Sequence, residues 1–138
     1  LNNEAEIMKL IESEGNVYKF TYRAFECILN RHNTILHWCG YIEIPIDCEI
    51  DSDEISVHGG VTFDEKVNDM RRIGFDCGHS GDLSPYIISS GFSFSFNGVY
   101  RDKEYVIDEI KSMGDQLSDM PEVVKSMRNY NLNKILKE

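Results

Sequence analysis

The sequence predicts an α+β domain, a curved, mainly antiparallel sheet covered by a long C-terminal helix. Between Val17 and Cys77, short runs rich in β-branched and aromatic residues alternate with turn signals. From Asp102 to about Leu117 the apolar positions switch to helical spacing. At 138 residues the chain suits a single compact domain over 1–138, with 119–138 set apart as a candidate interaction tail.

Glu4 to Glu12 favours a short helix with Ile7, Leu10 and Ile11 on one stripe, ended by Gly15-Asn16. Val17 to Leu29 reads as one strand, although its alternation falters at Ala24-Phe25. A turn through Asn30 to Asn33 then leads into a second strand over Thr34 to Pro45. Trp38 and Tyr41 on that strand serve either as core or as a platform for a ligand. Asp47, Glu49, Asp51, Asp53 and Glu54 suggest calcium by their alternation. They lack the full loop pattern and its glycine, so a solvated acidic loop is the expectation.

Ile55 to His58 predicts a further strand, interrupted by Gly59-Gly60 and resumed at Val61 to Phe63. Asp64 to Met70 reads as a loop or one helical turn, and Arg71 to Cys77 as another strand. Phe92, Phe94 and Phe96 have the spacing of one strand face, followed by an Asn97-Gly98 turn. The late helix carries Val106, Ile110, Met113 and Leu117 on one face, with Asp102 placed to cap it. A shorter helix with Val123, Val124 and Met127 follows Pro121.

A formal charge of −10 opposes long-range attraction to a nucleic-acid polymer or an anionic membrane. No run approaches the roughly eighteen apolar residues of a spanning helix, and no secretion leader is visible, so the expected setting is cytoplasmic. Reduced thiols at Cys27, Cys39, Cys48 and Cys77 follow from that setting.

Two segments concentrate reactive groups among glycines: His58-Gly59-Gly60-Val61-Thr62 and Gly74-Phe75-Asp76-Cys77-Gly78-His79-Ser80-Gly81-Asp82. If their strands are neighbours, His58, Asp76, His79 and Asp82 line one cleft. Imidazoles and carboxylates together suit a divalent metal, whose open position activates water for hydrolysis of a phosphoryl or other polar bond, with Asp82 orienting a histidine or acting as base. A structural hydrogen-bond network is the plain alternative. A Cys77-His79 thiol and base pair is a third use, but no triad accompanies it.

Non-catalytic capture of a small polar or nucleotide-like ligand uses the same features. Gly59, Gly60 and Gly78 expose amides, His58 and His79 donate hydrogen bonds, Trp38 or Tyr41 covers a base-like surface, and Arg71 and Arg72 supply positive charge. It is the leading expectation, ahead of a metal-dependent hydrolase and a protein-protein inhibitor.

Together with Trp38-Cys39-Gly40-Tyr41 and Tyr105-Val106 through Gln116-Leu117, these segments resemble a small protein family encountered in bacteriophages and prophages. The resemblance implies a virus-derived accessory protein in a bacterial host, countering a host response by binding a messenger or a host protein. The terminal segment and the aromatics add a homodimer to the expected partners.

Overall fold

The structure, a computed structural model, describes residues 4–90 and 98–137. Its first departure from expectation is at Arg23-Ala24, where both residues take positive φ, 50° and 68°. That pair is a two-residue hairpin turn whose twist matches its flanking strands. The expected single strand therefore folds back on itself as β1 (Val17–Tyr22) and β2 (Phe25–Arg31), with Tyr22 facing Phe25 in the register.

β3 (Trp38–Pro45) starts later than expected because His32 organises the loop before it. His32 Nδ1 accepts from the amides of Thr34 and Ile35 at 3.2 and 3.1 Å, and the His32 amide donates to the His37 carbonyl at 2.8 Å. Asp64 to Met70 is neither loop nor helical turn. β4 (Phe63–Val67) turns at Asn68-Asp69, again with positive φ, into β5 (Met70–Asp76). The expected strand over Ile55 to His58 does not form, because its backbone bonds to a helix. The Ser56 amide donates to Gln116 Oε1 and the His58 amide to Glu109 Oε1, both at 2.8 Å. The strand expected around Phe92, Phe94 and Phe96 lies outside the described residues, as does Asn97 of the turn after it.

The five strands pair in the order β1-β2-β3-β5-β4, every pair antiparallel. This corrects the expected curved sheet: the sheet is open and not curved, with β1 and β4 as its two edges. Pairing of Ile42 with Ile73 and of Gly40 with Phe75 puts these residues on one face. Tyr41, Glu43 and Arg72 alternate to the other.

Helix α1 (Glu4–Glu14) ends at Gly15, whose φ is +73°. A short α2 (Pro85–Ser90) follows the sheet. Helix α3 (Lys103–Ser118) then covers the face of Ile42 and Ile73 with Val106, Ile110, Met113 and Leu117, all fully buried. Asp102 caps α3 by accepting from the Tyr105 amide at 2.8 Å. Helix α4 (Pro121–Lys137) seats Val123 and Ser126 on the body and exposes Leu132, Ile135 and Leu136. Among the described residues no helix is long and apolar enough to cross a membrane.

Candidate functional site

At the end of β5 the chain coils through Asp76 to Asp82. The Gly78 amide donates to Asp76 Oδ1 at 2.9 Å, and the Asp82 amide to the His79 carbonyl at 2.9 Å. A parallel bridge to Val99 fixes the far side of the coil. Asp82 is thereby sealed in at 5% exposure and becomes the hub of the site.

Three groups meet its carboxylate. His58 Nε2 stands 2.9 Å from Asp82 Oδ2, Arg101 Nε donates to Oδ1 at 2.9 Å, and the His79 amide donates to Oδ2 at 3.1 Å. The other ring nitrogen of His58 lies 2.8 Å from the Tyr105 hydroxyl on α3. Burial pushes the Asp82 carboxyl up, but the hydrogen bonds from His58, Arg101 and the His79 amide outweigh it and hold the group below its ordinary range.

His79 completes the cluster. Its Nδ1 lies 3.5 Å from Asp76 Oδ1 and 3.7 Å from Asp82 Oδ2, and it hydrogen-bonds to neither. The ring rests on the bare α-carbon of Gly59, where a Cβ would come within 2.6 Å of Nδ1. His58, His79 and Asp82 each present one donor atom, all within 4.8 Å of one another, a set able to coordinate a divalent cation. The acidic stretch from Asp47 to Glu54 contains no such convergence among the described residues.

The other residues singled out in the sequence lie elsewhere or serve structure. Trp38 is wholly buried under the Arg31 guanidinium, whose carbon is 4.0 Å from the ring centroid. Arg71 is paired with Asp64 and Arg72 with Glu43. Both arginines stand four or five residues from Asp76 along β5, or about 13–17 Å. Tyr41 packs edge-on against Phe63 on the outer face. Gly60 adopts φ +82° with open space beside it. Cys77 points into the core, where burial pushes its thiol far above the ordinary value, so it does not pair with His79 as a nucleophile. All four cysteines are free and buried.

Sequence reasoning passed over Arg101, Tyr105 and His37. Arg101 and Tyr105 bracket the Asp102 cap, so one helix start delivers both to the cluster, and the guanidinium lies 5.0 Å from the Tyr105 ring centroid. His37 is 6% exposed, stacked on His32, and laid against Gly78.

Burial pushes the His37 imidazole below its ordinary 6.5. Below that pH the unfolded chain takes up a proton that the folded chain refuses until lower pH, so stability falls on acidification. Urea midpoints at about pH 7.5 and about pH 5.5 should show the lower value in acid, with the difference reduced in His37→Gln. An equal difference in that variant contradicts the assignment.

Compared with family models, curated proteins and solved structures, the chain finds no match in any of the three.

Proposed function

We propose that this chain is a divalent-metal-dependent hydrolase whose ion is held by His58 Nε2, His79 Nδ1 and Asp82 Oδ2. The convergence of one donor atom from each of these three residues within 4.8 Å carries the reading. Ligands about 2.0–2.1 Å from a tetrahedral ion stand about 3.3 Å apart, close to the spacings of 2.9 and 3.7 Å that Asp82 makes with the two histidines. Tyr105 at the second nitrogen of His58 holds the ring in orientation, and Arg101 engages Asp82 Oδ1 while Oδ2 faces both histidines. Such outer partners are how metal ligands are held in place. Three protein ligands leave a fourth position for water, whose pKa the ion lowers to about 7. Asp76, beside His79 Nδ1, is placed to accept the proton.

The test strips the protein with chelator, restores Zn²⁺ or Mn²⁺, and follows hydrolysis of chromogenic esters, anilides and phosphate esters. Turnover that needs the ion and disappears in His79→Ala is the expected result. Metal binding without turnover of any of them contradicts the enzymatic reading. Gly59→Ala tests the geometry separately, because the added Cβ strikes the His79 ring at a φ of +69°. It should weaken the ion by about 10–100-fold, the range for lost outer support. An unchanged affinity means that His79 is not held by Gly59.

We propose capture of a base-like ligand as a second reading, favoured by a recess of about 350 Å³ lined by Tyr41, Phe63, His32, His37, Thr62 and Asp76. Retention of an intact nucleotide, abolished by Tyr41→Ala, supports it, and loss of retention in the parent protein ends it.

A further inference from the structure

Among the described residues, three side-chain polar atoms are buried without a hydrogen-bond partner: His37 Nδ1, His79 Nδ1 and Ser84 Oγ. Their residues line one cavity of about 310 Å³, together with Asp82, Ile35 and Ile87. An orphaned buried polar atom is costly, and native proteins tolerate few, usually where a water, an ion or a ligand supplies the partner. Three residues that carry such atoms around a single space point to an occupant. Resting on the hydrolase reading, His79 Nδ1 is taken by the ion, which leaves the imidazole of His37 and the hydroxyl of Ser84, at 6% and 5% exposure, to bind substrate.

The charge of the lining selects the class of molecule. Among the described residues no lysine or arginine lines the cavity, and its carboxylate, Asp82, is already engaged by His58, Arg101 and the His79 amide. A phosphate dianion is ordinarily met by arginine, lysine or several free amides. A neutral imidazole and a hydroxyl instead suit a group that offers one acceptor and one donor. We propose that this cavity binds the uncharged amide group of the substrate, its carbonyl accepting from Ser84 and its N–H donating to His37, with the adjoining substituent against Ile35 and Ile87. In the reaction, water oxygen bonds to the carbonyl carbon and the C–N bond breaks. The proton released by water passes through Asp76 to the departing amine, so no oxidant or reductant enters.

The test uses two probes with the same ring, benzamide and phenyl phosphate, titrated into metal-free protein while the His37 ring and Ser84 amide resonances are followed. Saturable shifts with benzamide at millimolar concentration, weakened about three- to tenfold in Ser84→Ala, are expected for the loss of one hydrogen bond. Phenyl phosphate should bind more weakly than benzamide. Ile35→Trp, placed at a half-exposed position, should block benzamide while leaving the folded spectrum intact. Tighter binding of phenyl phosphate overturns the substrate class, and no saturable shift with either probe overturns the site. Because the probes are read without metal, a failed metal titration leaves this result standing, and the reverse holds as well.

Discussion

Arg31→Met lowers the free energy of unfolding by about 3–5 kcal/mol, read as a lower urea midpoint at unchanged slope. The side chains of Arg31 and Glu14 are 4% and 7% exposed, their charged ends 3.3 Å apart. The guanidinium also donates to the carbonyls of Gly15, Leu36 and Ile11 and to the Tyr100 hydroxyl. Glu14 Oε1 accepts from Tyr100 at 2.5 Å and Oε2 from the Lys103 amide at 2.7 Å, so one buried pair joins α1, β2 and the start of α3. Removing the arginine strands a buried carboxylate together with several carbonyls. Glu14→Gln in the same chain removes that stranded charge, so the double variant should lose less than the sum of the singles. Strict additivity contradicts the pairing. Tyr100 and Lys103 flank Arg101, so the same change should also loosen the hold on Asp82.

Asp82→Asn weakens the binding of a divalent cation by at least about 100-fold, beyond the 10–100-fold range of outer-partner losses, because it removes a direct ligand. It also removes the anion that His58 and Arg101 face. Asp82 has its folded pKa lowered, so the stability it contributes is present above its ordinary 3.8 and is lost as pH falls through the folded value. The variant should therefore be less stable than the parent at neutral pH and lose part of the parent's decline in strong acid. An asparagine variant that binds the ion as tightly as the parent removes Asp82 from the site.

Where the physics is local, the sequence was informative. The face of Val106, Ile110, Met113 and Leu117 repeats at helical spacing after a capping aspartate, and α3 buries those residues. β5 shows in the alternation of Ile73 and Phe75. The Arg23-Ala24 turn was illegible, since neither residue favours the positive φ it adopts and neighbouring strands impose it. Ile55 to His58 has strand composition, but its hydrogen-bond partners are Glu109 and Gln116, some fifty to sixty residues away. Composition could not reveal that. The expected curved sheet failed similarly, because apolar alternation marks strands without fixing the sheet's overall shape.

The candidate site divides along the same line. Glycines beside His58 and His79 marked places where another group can approach closely, and Gly59 does admit the His79 ring. His37, Ser84, Arg101 and Tyr105 carry no local mark. They come from three segments, Arg101 and Tyr105 sharing the start of α3, and acquire a role only through the positions the sheet and α3 give them. Arg71 and Arg72 were expected to supply positive charge to a ligand, yet strand extension carries them away and Asp64 and Glu43 neutralise them.

Calorimetric titration of Zn²⁺ into chelator-stripped protein, beside the His58→Ala/His79→Ala variant, tests the central claim most directly. The account predicts one equivalent bound by the parent and no saturable binding by the variant. Equal isotherms for the two proteins, or no binding by the parent, contradict it.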